Sequence, residues 1–107
     1  KDDFKEAVQA GNTLQVTSML NRRADVNSVH RKFGLTPLHF AVLSGHVAVV
    51  RQLLEARADL NAMTTDENHM TPVMVAYIEG NKDILALLKE HDGGGLILET
   101  DEEIVVE

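Results

Sequence analysis

Histidine is the side chain best suited to proton transfer and metal binding near neutral pH, and this 107-residue chain has five: His30, His39, His46, His69 and His91. None belongs to a pattern that does chemistry. The sequence has no His-Glu-x-x-His pair, no nucleophile elbow, no phosphate-cradling glycine loop and no calcium loop. It has no cysteine, which removes thiol nucleophiles, zinc knuckles, iron–sulfur clusters and disulfides together. His30 and His69 fall in corresponding loops, but two imidazoles without carboxylates or thiols do not make a metal site. Asp66-Glu67-Asn68 reads as a solvated turn rather than a cation site. The expectation is a non-enzyme with no catalytic residues, no cofactor and no metal.

Charge narrows the field further. Acids outnumber bases 17 to 10, and five of the acids (Glu99, Asp101, Glu102, Glu103, Glu107) lie in the last dozen residues, which carry no base. Residues 1–95 hold 12 acids and 10 bases, so the body is nearly neutral and the acidity belongs to a tail. Such a surface repels phosphate backbones, and 4 % aromatic content offers few bases a stacking platform. No nucleic-acid partner is expected. Nor is a membrane partner, since no apolar run approaches the roughly 20 residues that cross a bilayer. No basic-then-apolar start reads as a signal peptide, so the expected location is cytoplasmic or nuclear.

What positions the remaining candidates is an internal repeat. Gly34-Leu35-Thr36-Pro37-Leu38-His39-Phe40-Ala41 leads to Ser44-Gly45-His46, then Val49-Val50, Leu53-Leu54 and Ala58-Asp59-Leu60-Asn61-Ala62. Met70-Thr71-Pro72-Val73, Glu79-Gly80-Asn81, Ile84-Leu85 and Leu88 repeat it, and a shorter copy runs from Phe4 through Gly11-Asn12 to Ala24-Asp25-Val26-Asn27. The pivot glycines Gly11, Gly45 and Gly80 are separated by 34 and 35 residues. Thr36 can cap a helix that Pro37 begins, where the missing N–H costs nothing, and Thr71-Pro72 repeats the device. Leu38, Ala41 and Val42 fall on one helical face. Gly45 then turns the chain into a second helix whose stripe is Val49, Val50, Leu53 and Leu54.

These residues resemble the ankyrin repeat, with its period of about 33 and its Thr-Pro-Leu-His signature. The resemblance covers residues 1–92 and implies an all-α solenoid of about three helix–turn–helix units: cap, one full repeat, cap. Lys89 stands where the second copy has Leu54, a polar end position. It also implies that His39 and His46 stabilise turns through backbone hydrogen bonds, and that Tyr77, where alanine is usual, fills the core. Arg23 and Arg57 replace a usual glycine, and His69 replaces the glycine that Gly34 supplies in the copy before. In a left-handed conformation each arginine would cost about 1 kcal/mol. The loops Ser28–Leu35 and Met63–Met70 are one and two residues longer than usual.

The resemblance further implies a protein partner, held on the hollow side of the stack. The variable positions it assigns are Lys32, Phe33, Leu35, Leu43 and Ser44 in the full repeat. In the last repeat they are Glu67, Asn68, Met70, Ile78 and Glu79, and in the first Gln9 and Ala10. Phe33, Leu35, Leu43, Met70 and Ile78 would form a continuous apolar stripe, with Lys32, Arg31 and His30 beside it for partner carboxylates. The expected function is a non-catalytic adaptor that binds an extended acidic-hydrophobic segment. The alternative is an ankyrin-type chaperone or assembly factor shielding a basic client.

Gly93-Gly94-Gly95 ends the pattern as a linker that is flexible by composition. Beyond it, residues 96–107 form a tail with two β-prone triplets, Leu96-Ile97-Leu98 and Ile104-Val105-Val106, split by acids. These six residues are the expected contacts of an extended tail, paired within the molecule or with a neighbouring copy by strand addition. The tail reads either as native or as a partner peptide fused through a tether that raises its local concentration.

Overall fold

The helices begin and end where capping chemistry places them. A computed structural model describes residues 3–92, apart from the Asp92 side chain; the linker at 93–95 and the tail at 96–107 lie outside the described residues. Helix α3 (Pro37–Ser44) starts at a reciprocal cap. The Thr36 hydroxyl accepts the His39 N–H at 3.4 Å, and His39 Nδ1 accepts the Thr36 N–H at 3.0 Å. Pro37 takes the first position, and Gly45 stops the helix at φ 75°, a left-handed conformation that glycine adopts without a Cβ clash. Helix α5 (Pro72–Glu79) repeats this, with Thr71 accepting the Met74 N–H at 3.2 Å and Gly80 at its end. Helix α1 (Asp3–Ala10) lacks the Thr-Pro start but carries Asp3 and Glu6 in its first turn, which suits a helix N-terminus.

After each pivot glycine a second helix runs back: α2 (Thr13–Asn21), α4 (Val47–Glu55) and α6 (Lys82–Asp92). Asn12 caps α2 and Asn81 caps α6, each side-chain oxygen accepting a backbone N–H at 3.1 Å. The resulting hairpins stack in two layers: α1, α3 and α5 inside, α2, α4 and α6 outside. Among the described residues the fold is all-α, a short solenoid.

Its core is the expected stripe. Leu38, Ala41 and Val42 of α3 and Val49, Val50, Leu53 and Leu54 of α4 are buried, joined by Val8, Val16, Val73, Ala76, Ile84 and Leu88 from the flanking hairpins. Polar bonds tie the layers as well. The Gln52 side chain donates to the Thr13 carbonyl at 3.0 Å and to the Thr17 hydroxyl at 2.6 Å, linking α4 to α2. The Asn27 side chain joins successive loops by accepting the Asp59 N–H at 2.7 Å. Arg23 and Arg57 occupy the left-handed region, at φ 71° and 72°, as does His69 at 49°.

Tyr77 corrects one expectation. It is 44 % exposed rather than core. Its counterparts Val8 and Val42 are buried because the next inner helix covers them, and among the described residues nothing follows α5 to do so for Tyr77.

Candidate partner-binding surface

Two kinds of element present side chains on the inner side. The last turns of α1, α3 and α5 carry Gln9, Leu43 and Ile78, each two residues before a pivot glycine, with Ala10, Ser44 and Glu79 next to them. All six are exposed, and the stacking of the three helices sets them in rows. The hairpin loops before α3 and α5 carry Lys32 and Phe33, and Glu67 and Asn68, also exposed. The loops are joined, since Thr65 N–H donates to the Phe33 carbonyl at 2.9 Å.

Burial divides the five expected apolar anchors. Phe33, Leu43 and Ile78 are 50 %, 45 % and 66 % exposed. Leu35 and Met70 are half-buried: Leu35 lines a cleft at the foot of the first loop, and Met70 packs against the core. The expected continuous stripe is therefore split. Phe33 precedes α3 and Leu43 lies near its far end, so roughly 9 Å of helix separates them.

Between those ends lies a group the sequence reading overlooked. Phe40 is half-buried, with Lys5 Nζ 5.5 Å from its ring centroid and the His30 ring edge-on at 5.7 Å. With Phe4, Val29 and Leu35 these residues line an open cleft of about 220 Å³. Lys32 Nζ lies 5.8 Å from the Phe33 ring centroid, a second pairing of cation and aromatic face. The available signal was register: Phe40 stands one helical turn before Leu43 and one after Pro37.

Two of the histidines, His39 and His46, tie backbone segments together. His39 is buried; its Nδ1 accepts the Thr36 N–H, so Nε2 carries the proton and donates to the Met70 carbonyl at 2.8 Å. Burial holds its pKa below the ordinary imidazole value, against the opposing pull of the Met70 carbonyl and the Asp66 charge. His46 Nε2 donates to the Gln9 carbonyl at 2.8 Å, pinning the second hairpin to α1. Asp66 organises the second loop, accepting from the Thr64 hydroxyl at 2.6 Å and the Asn68 N–H at 3.2 Å. The Thr64 bond and then the backbone N–H groups of Asn68 and His69 hold its carboxyl below the usual carboxylate range, against a smaller opposing effect of desolvation. Among the described residues no group of three or more His, Asp or Glu side chains is placed to hold a metal ion.

A sequence profile of ankyrin repeats, in three copies, matches residues 4–97. The chain belongs to the ankyrin-repeat family. It is 38 % identical over 74 residues to the mouse 2-5A-dependent ribonuclease, a match covering 69 % of this chain and 10 % of that protein. It is 42 % identical over 74 residues to the Drosophila melanogaster ankyrin repeat and KH domain-containing protein mask, covering 68 % of this chain and 2 % of the relative. With mouse protein phosphatase 1 regulatory subunit 27 it shares 33 % identity over 86 residues, 79 % of this chain and 54 % of that one. The chain thus corresponds to a small part of the first two relatives and about half of the third. Ankyrin repeats generally mediate protein–protein contacts and are not themselves catalytic. No described helix of this ankyrin domain is long and apolar enough to cross a membrane.

Proposed function

We propose that this ankyrin domain is a non-catalytic adaptor that holds an extended acidic-hydrophobic segment of a partner protein along its inner side. The carrying observation is the exposure of Phe33, Leu43 and Ile78 on the loop and inner-helix positions, beside a cleft lined by Phe40 and Lys5. Large apolar side chains on a hollow surface gain free energy when a partner covers them. Lys5 and Lys32, each over an aromatic ring, and the exposed Arg31 supply cations for partner carboxylates next to those anchors. Gln9, Ser44, Glu67, Asn68 and Glu79 form the polar rim, while Leu35 and Met70 act from beneath by shaping the surface.

Selection of displayed random peptides against the full chain tests this reading. The expected outcome is enrichment of acidic-hydrophobic sequences whose binding Leu43→Glu abolishes, with a nearly unchanged thermal melt. Leu14→Glu is the control, since Leu14 is exposed on the outer helix α2, and it should leave binding intact. Equal binding by the Leu43 variant overturns the proposed surface. Enrichment of basic sequences, with affinity falling steeply as salt rises, would instead favour a chaperone for a basic client.

A further inference from the structure

A histidine seals the joint between the second and third hairpins. His39 is fully buried, and its Nε2 donates at 2.8 Å to the Met70 carbonyl, which also accepts the Thr64 N–H at 3.0 Å. The joint between the first and second hairpins keeps the same register. Lys5 and His39 each lie six residues before a pivot glycine, and Leu35 and Met70 each lie directly before a capping threonine. The Leu35 carbonyl accepts the His30 N–H at 2.7 Å, as the Met70 carbonyl accepts that of Thr64. What differs is the lysine in place of the histidine.

That exchange leaves a space. Lys5 Nζ turns over the Phe40 ring, 5.5 Å from its centroid, and among the described residues no second donor reaches the Leu35 carbonyl. Lys5, Leu35, Pro37 and Phe40 line the cleft of about 220 Å³, whereas at the next joint their counterparts His39, Pro72 and Val75 are buried. The cleft is smaller than the roughly 300–1,000 Å³ of sites that enclose a whole small molecule, and it fits one large side chain. A carbonyl with a lone pair to offer calls for a donor, and the tryptophan indole donates without accepting. Phe4 and Phe40 supply aromatic walls for its ring. Lys5 favours a carboxylate beside that ring, since Asp25, the acid in the lining, already accepts the Asn27 N–H at 2.9 Å.

We propose that this cleft is the site for a tryptophan side chain of the partner segment, with an acidic residue next to it. The indole ring takes the space that His39 fills one repeat later, its N–H donates to the Leu35 carbonyl, and the neighbouring carboxylate meets Lys5. The proposal rests on the reading of the inner side as a partner surface and names the anchor which that surface recognises. One aromatic anchor covered in this way carries a large share of the binding free energy of an interface.

The probe is the dipeptide N-acetyl-tryptophyl-aspartate amide, titrated into the full chain and followed by amide chemical shifts. The chain has no tryptophan, so the indole N–H signal belongs to the probe alone. Saturable shifts at Leu35 and Phe40 are expected, with nuclear Overhauser contacts between the indole and the Phe40 ring. Methylating the indole nitrogen should weaken binding about tenfold. Exchanging the probe's aspartate for asparagine should weaken binding to the unaltered chain but not to Lys5→Met. Lys5→His restores the sealing imidazole, so it should abolish binding and raise the urea midpoint. Leu14→Glu, on the outer helix α2, should bind as the unaltered chain does. Absence of saturable shifts at Leu35 and Phe40 overturns the proposal, as does equal binding of the methylated probe or by a folded Lys5→His chain. Peptide selection that succeeds while the dipeptide fails to bind overturns this proposal alone. The converse result overturns the surface reading and supports the cleft as an indole site.

Discussion

At the residue scale, His39 shows how one side chain can be committed to a fold. Both ring nitrogens are used, with Nδ1 accepting from Thr36 and Nε2 donating to Met70, and the ring is buried. Protonation would place an N–H on Nδ1 against the Thr36 N–H and put a charge in the core, so the folded pKa lies below that of the unfolded chain. Above about pH 6.5 both states are neutral and this residue makes stability independent of pH. As pH falls below that value the unfolded chain binds a proton first, and stability drops until the folded pKa is reached. Urea titrations from pH 7.5 to 5 should show a midpoint that falls on acidification, and His39→Gln should be less stable at pH 7.5 with a shallower decline. An equally steep decline in the variant would assign the pH dependence elsewhere.

At the element scale, the loops carry strain that the helices do not. Gly34 and Gly80 both adopt positive φ, yet their surroundings differ. A Cβ on Gly34 would lie 2.8 Å from the Thr65 backbone nitrogen, the donor that joins the two loops, whereas one on Gly80 meets nothing within 4 Å. Gly80→Ala should therefore cost about 1 kcal/mol for its backbone alone. Gly34→Ala should cost more and loosen the loop pair. Arg57→Gly, at φ 72° on an exposed turn, should add about 1 kcal/mol, and urea midpoints of the three variants rank these effects. The helices were legible in the sequence because their signals are local: Thr-Pro starts, pivot glycines and apolar spacing each act within a turn or two. Coverage of the loop residues was not. Phe33 and Leu35 are two positions apart and equally apolar, and which one is covered depends on how the loop folds onto the first hairpin. Phe40 was passed over for a related reason, since its neighbours Lys5 and His30 come from other elements. Tyr77 is the clearest case, as the register position that buries Val8 and Val42 exposes it through its place in the stack.

At the scale of the whole molecule, stability comes from neighbour interfaces, and the central hairpin takes part in both of them. Helix α3 packs on α1 and α5, and α4 on α2 and α6, so a defect in α4 weakens the stack on both sides at once. Leu53 and Ile84 are both fully buried, but Leu53 lies in that central hairpin and Ile84 in the end one. Either change to alanine should remove about 2–5 kcal/mol, a large share of the total for a chain of this size. The variants should differ in cooperativity. Tyr77, the chain's single tyrosine in the absence of tryptophan, reports on the third hairpin, while circular dichroism reports on all helices. In Leu53→Ala the two melting curves should coincide, because loss of the middle unit leaves neither end supported. In Ile84→Ala the tyrosine transition should come first, as the end hairpin loosens from a middle still packed against α1 and α2. Coincident curves in the Ile84 variant and separated ones in the Leu53 variant would contradict a stack held together by neighbours.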